Sequence, residues 1–181
     1  YDIEPVPDND DGFLHLLDLT RKKIGSKKLS ISTPRILESE VIRKYASGIG
    51  GTQFYPWSSD YFRKAAEKCD DIVIMSYDSG EPTEAAYTKF MADQLTQALN
   101  KLKGLKCKLL MGIPSYEDKT ISHNAKSENV KSGINGVILG LSQISDENLR
   151  KCNFKGIAVY AVWTTDQNEI MTIKEKWGSL R

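Results

Sequence analysis

Two carboxylates open the chain. Asp2 and Glu4 stand at i and i+2 in a run, Tyr1 to Pro5, that reads as a strand. Alternation along a strand puts both on one face. Two carboxyl groups that close do not ionise together cheaply, so one keeps its proton toward neutral pH, as a general acid requires. A surface acidic pair, or a salt bridge to a nearby lysine, is the plainer account of the same D-x-E. Three later strand ends carry further groups: Met75-Ser-Tyr-Asp78, Gly112-Ile-Pro-Ser-Tyr116, and a last run from Gly156 that holds Tyr160 and Trp163. Phe54, Tyr55 and Trp57 sit in a glycine-rich loop after the second strand and offer flat apolar faces. Packing beneath that loop is their alternative role.

The elements that must position these groups alternate strand with helix. Helices are expected over about Gly12 to Ile24, Ile36 to Tyr45, from Ser58 as N-cap, from about Thr83 to an end at Gly104, over Val130 to Ile144, and from Asn168 to near Gly178. Between them lie strands Lys28 to Pro34, Asp71 to Asp78, Cys107 to Tyr116 and Phe154 to Trp163. Strand–helix alternation implies an α/β fold of parallel strands joined by crossover helices, here about five βα units in a single domain over 1–181. A (β/α)8 barrel is favoured over a doubly wound sheet because the chemistry-bearing residues gather at the carboxyl ends of the strands. No GxGxxG or phosphate-binding loop follows any strand. Five units do not close an eight-stranded barrel, so three upstream units are expected in a longer parent chain.

The succession of these motifs resembles glycoside hydrolase family 18, the chitinases and endo-N-acetylglucosaminidases. Asp2 and Glu4 match the last two acids of the family's D-x-D-x-E, Met75, Tyr77 and Asp78 its M-x-Y-D, and Gly112, Pro114 and Tyr116 its G-x-P-x-Y. Glu4 is followed by proline, where chitinases usually place an aromatic. The resemblance spans nearly the whole chain and implies strands four to eight of the barrel. It implies a retaining, substrate-assisted hydrolysis of N-acetylglucosamine-containing glycans. Glu4 would protonate the leaving oxygen, and the substrate's 2-acetamido oxygen would attack the anomeric carbon to give an oxazolinium ion. Asp2 would orient the acetamide, Tyr77 would hydrogen-bond its oxygen, and Asp78 would hold a sugar hydroxyl. Water activated by Glu4 would then open the ion. Met75, Tyr116, Tyr160, Trp163, Trp57 and Tyr55 would line the glycan site. The family's spacing floors that site with Tyr160, yet Trp163 lies three residues on with opposite strand parity, so the sequence leaves both open. The family needs no metal or cofactor and acts mostly outside cells.

Composition excludes other classes. Lys plus Arg is 25 against 24 for Asp plus Glu, and a net charge of +1 with no basic run argues against nucleic-acid binding. No apolar run approaches the length of a membrane span. The opening segment has no signal-peptide pattern. Cys69, Cys107 and Cys152 lack zinc-ligand spacing and read as buried thiols, with one bridged pair left open. His15 reads as a surface or interface helix residue, and His123 as a solvated loop histidine. None of the strands supplies a histidine ligand, which argues against a metal-using isomerase holding its ion with Asp2 and Glu4. A catalytically silent carbohydrate-binding barrel, a chitinase-like lectin, is the remaining alternative.

Overall fold

The structure, a computed structural model, describes residues 1–49, 55–118, 120 and 122–178, and leaves the side chains of 45–49, Asn148 and Cys152 undescribed. Phe54 and the Cys152 thiol therefore lie outside the described residues. The fold is mixed α/β. Helices α1 (Asp11–Ile24), α2 (Glu40–Ile49), α3 (Ser59–Ala66), α4 (Glu84–Leu102), α5 (Val130–Gln143), α6 (Glu147–Asn153) and α7 (Gln167–Thr172) alternate with strands β1 (Ser30–Thr33), β2 (Asp71–Ile74), β3 (Lys108–Pro114) and β4 (Phe154–Tyr160). A π-helical turn, Ile173–Trp177, follows α7. The strands form one parallel sheet in chain order, β1-β2-β3-β4. Parallel neighbours need a crossover, and each gap between strands holds at least one helix. The chain divides into two compact units: residues 1–75, 97–110 and 146–155 make the first, and 76–96, 111–145 and 156–181 the second.

In the first unit, β1 and β2 pair from Ser30↔Asp71 to Thr33↔Ile74. The strand expected over Tyr1 to Pro5 shrinks to a single pairing. Tyr1 donates to Ser30 O and accepts from Ser32 N, and then the chain leaves the ladder. Pro5 and Pro7 lack the N–H groups a continuing ladder would need. Asp10 caps α1 by accepting from Phe13 N at 2.9 Å, and basic residues Arg21 to Lys23 fill its last turn. His15 is exposed on that helix. Trp57, Phe13, Tyr61 and Leu17 are core. The Trp57 indole meets Tyr61 edge-on at 4.7 Å and donates from Nε1 to Val6 O at 2.8 Å. Tyr61 donates to Asp10 O at 2.8 Å. Cys69 and Cys107 are buried free thiols with sulfurs 3.6 Å apart. The contact between the two sulfurs and their burial push the Cys69 thiol up, so it holds its proton.

The second unit is built on the approach of α5 to α4. A Cβ at Gly136 would lie 2.4 Å from Met91 Cβ and 2.6 Å from Thr88 O, so only glycine permits this spacing. Tyr87, Met91, Ala92 and Leu95 fill the core from α4, and Ile134 and Val137 from α5. Asn129 caps α5 in a reciprocal box with Ser132. Helix α6 has no counterpart in the sequence expectations. It is only seven residues long, and its start signal is Asp146, whose side chain accepts from Leu149 N.

Candidate functional site

The second unit gathers groups from three strand ends. After β2, Ser76 is buried and its carbonyl accepts from Tyr87 Oη at 2.6 Å. Tyr77 follows, then Asp78 at φ +53°, a left-handed turn that Asp tolerates better than most residues. After β3, Ser115 N donates to Tyr160 O at 2.8 Å, which aligns Tyr116 beside the end of β4. The chain leaves β4 through a cis Tyr160–Ala161 peptide and turns, with Thr164 N and Thr165 N both donating to Ala161 O.

Four rings meet there. Tyr77 stacks on Tyr160 at 5.5 Å and 13°, Tyr116 stands edge-on to both, and Trp163 stands edge-on to Tyr160 at 5.9 Å. The parity conflict between Tyr160 and Trp163 dissolves because the strand ends at Tyr160 and Trp163 belongs to the turn. Tyr160 is 48% exposed and Trp163 77% exposed, so both offer ring faces to a ligand. Tyr116 Oη donates to Asp78 Oδ1 at 2.7 Å. Burial, reinforced by that bond and by the Asp78 charge, pushes the Tyr116 phenol well up, so it remains a donor at neutral pH.

Behind the rings lies a buried polar cluster. His123 is 2% exposed and Glu128 fully buried. The expectation of a solvated loop histidine therefore fails: the loop folds inward and the ring lies 4.2 Å from that of Tyr116. Glu128 Oε1 accepts from Ser79 N at 3.0 Å, Ser79 Oγ at 2.7 Å and Gly80 N at 2.9 Å. His123 Nδ1 lies 3.3 Å from Glu128 Oε2 and 3.6 Å from Asp78 Oδ1, while Nε2 lies 3.1 Å from Tyr116 O. Among the described residues, Asp78, His123 and Glu128 are the group able to hold a metal ion, with ligand atoms within 4.8 Å of one another. Their separation in sequence hides them. No local signal marks them, because the Ser79 and Gly80 amides that hold Glu128 lie some fifty residues earlier in the chain.

Of the other expected site residues, Asp2 and Glu4 belong to the first unit and are exposed on an irregular segment. Met75 is half-buried at the end of β2, its amide donating to Thr33 O. Tyr55 is half-buried. Trp57 has no exposed surface, so the stacking role expected of it gives way to the packing role: its ring faces meet Phe13 and Tyr61, and its N–H is satisfied by Val6. No helix of the described residues is long and apolar enough to cross a membrane. Comparison with protein-family models, with curated proteins and with solved structures finds no match to this chain.

Proposed function

We propose that the protein is a retaining glycoside hydrolase of the family 18 type, acting on N-acetylglucosamine-containing glycans. One observation carries this reading: Tyr77, Asp78, Tyr116, Tyr160 and Trp163, drawn from three successive strand ends, form one partly exposed aromatic and carboxylate surface in the second unit. Stacked phenols beside a carboxylate suit a sugar, which presents apolar ring faces and hydroxyl edges. The chain-order sheet supports the finer architecture of the proposal, a (β/α)8 barrel, since a doubly wound sheet reverses its strand order at a switch point. In this reading Glu4 is the general acid, Asp2 orients the substrate acetamide, and Tyr77 hydrogen-bonds its oxygen.

The test is release of fluorophore from chitooligosaccharide glycosides by the protein and by its Glu4→Gln variant. Removing a general acid should lower turnover by about a hundredfold or more while leaving glycan binding in place. Equal turnover in both proteins would discard the Glu4 assignment. A second reading, a catalytically silent glycan-binding protein, is favoured by the exposure of both Asp2 and Glu4. It predicts saturable glycan binding with no turnover in either protein.

A further inference from the structure

The buried cluster behind the aromatic surface has a feature that sugar binding does not use. His123 Nε2 faces the Tyr116 carbonyl oxygen, which only accepts, so Nε2 carries the ring hydrogen. In the neutral ring that leaves Nδ1 with its lone pair directed at two carboxylate oxygens, Glu128 Oε2 at 3.3 Å and Asp78 Oδ1 at 3.6 Å. His123 and Glu128 are buried and Asp78 is partly open, and a cation among the three electron-rich atoms would balance the two carboxylate charges. A hydrogen on Nδ1 can point at one carboxylate only. A metal ion serves all three atoms at once.

We infer that Asp78, His123 and Glu128 form a binding site for a divalent transition metal of the zinc type. Zinc bonds of 2.0–2.2 Å in a tetrahedron set ligand atoms about 3.3–3.6 Å apart; both nitrogen–oxygen separations fall in that range, and the two carboxylate oxygens, within 4.8 Å of each other, would close on the ion. One imidazole and two carboxylates form a mixed nitrogen and oxygen donor set that suits zinc or a neighbouring first-row ion. The surroundings of the ligands match as well. A metal-bound histidine characteristically donates its other N–H to a carbonyl or carboxylate, and here Tyr116 O takes that role. Glu128 is fixed by Ser79 and Gly80, chiefly through Oε1, while Oε2, which accepts only a longer 3.3 Å bond from Ser79 N, is the oxygen turned to His123. Tyr116 Oη holds Asp78. Three protein ligands leave a fourth position open, and Asp78, with 39% of its side chain exposed, is the ligand on the solvent side. The inference rests on the second unit's geometry; it shares Asp78 and Tyr116 with the glycosidase reading but does not depend on turnover.

The test is equilibrium dialysis of the metal-stripped full chain against zinc sulfate, followed by absorption spectra with cobalt(II) in its place. One equivalent of zinc should bind, and cobalt should give the intense visible bands of a four-coordinate site. Asp78→Asn is the informative variant, because Asn adopts a left-handed backbone as readily as Asp and keeps the turn. It should weaken zinc at least tenfold, His123→Ala should abolish stoichiometric binding, and Tyr116→Phe, which removes the hydroxyl bonded to Asp78, should weaken it by about tenfold. Far-ultraviolet circular dichroism checks that each variant is folded. Failure of the folded wild-type chain to bind zinc would overturn the site and assign Nδ1 a hydrogen instead. Undiminished binding in folded Asp78→Asn would overturn it equally. Neither result touches the glycosidase reading, whose readout is turnover.

Discussion

The two units each hold an aromatic cluster, and the clusters differ in what their polar atoms do. In the first unit Phe13, Trp57 and Tyr61 are buried, and every indole or phenol hydrogen ends on a backbone carbonyl. In the second, Tyr77, Tyr116, Tyr160 and Trp163 remain partly open, and the Tyr116 phenol ends on a carboxylate. Some carboxylates of the two units also differ. In the first unit Asp18, Asp60 and Asp70 are each held below their ordinary range with a Lys or Arg at hand: Lys68 and Lys101 for the first two, and the Leu29 amide followed by Arg21 for Asp70. In the second, Asp78 and Glu128 share one histidine. Aromatic residues whose polar atoms are closed off serve stability, and those left with polar neighbours at an exposed edge are the ones the proposed glycan surface calls on.

The largest test of that contrast exchanges one ring in each cluster for alanine. Trp57→Ala empties a fully buried site and orphans the Val6 carbonyl, and should cost about 3–5 kcal/mol of stability in urea unfolding. Tyr160→Ala removes a half-exposed ring and should cost under about 1 kcal/mol, while weakening chitooligosaccharide binding by about tenfold. Equal stability losses would break the contrast. A stable Tyr160→Ala variant with unchanged glycan affinity would remove the recognition role.

Alkaline titration compares two phenols that both units bury fully. Tyr61 donates to Asp10 O and Tyr87 to Ser76 O, and burial pushes both phenols up from the ordinary value of 10.0. Above that pH the unfolded chain releases these protons and the folded chain retains them. The unfolded state then binds fewer protons, so stability falls as pH rises, by about 1.4 kcal/mol per pH unit for each phenol. Tyr61→Phe and Tyr87→Phe should each flatten the alkaline limb of an unfolding curve by roughly that slope. An unchanged limb in either variant would mean that its phenol ionises as readily in the folded chain.

The sequence made the elements legible where a cap or a period was strong. Ser58 marks a helix start that the structure places at Ser59, the helix expected from about Gly12 begins at Asp11, and the apolar spacing from Tyr87 to Leu102 is α4. The convergence of Tyr77, Asp78, Tyr116 and Tyr160 was legible too, because parallel strands bring their carboxyl ends to one edge. Three features were not. The opening segment alternates like a strand, but its prolines withhold the amides a ladder needs. Trp57 follows a glycine-rich loop and looked available, but composition does not report which ring face a neighbouring helix covers. Glu128 is held by amides of a turn some fifty residues earlier, and His123 by Glu128 and the Tyr116 carbonyl; contacts made at such sequence separation carry no local signal.

The smallest effect tests the electrostatic half of the contrast at Glu169. Its side chain accepts from Asp166 N at 3.0 Å in the box that caps α7, while Asp166 caps Glu169 N in return. Burial, with the Asp166 and Glu117 charges, holds this carboxyl above its ordinary value despite that bond. A raised folded value means the folded state keeps the proton longer. Stability is therefore greatest below the ordinary carboxylate range and declines as pH rises through the folded value. Glu169→Gln keeps an acceptor for Asp166 N and removes the charge, so at pH 7 it should stabilise the chain by a few tenths of a kcal/mol, a size set by solvent screening. That gain should vanish as pH falls below the ordinary carboxylate range, where both side chains are neutral. The opposing effect is the partial positive charge at a helix N-terminus, which favours an anion. It is small here because α7 has six residues and Asp166 already supplies a carboxylate at the cap. A Glu169→Gln variant less stable than wild type at pH 7 would show that the helix end outweighs the repulsion. The second unit's carboxylates would then be as well accommodated as those of the first.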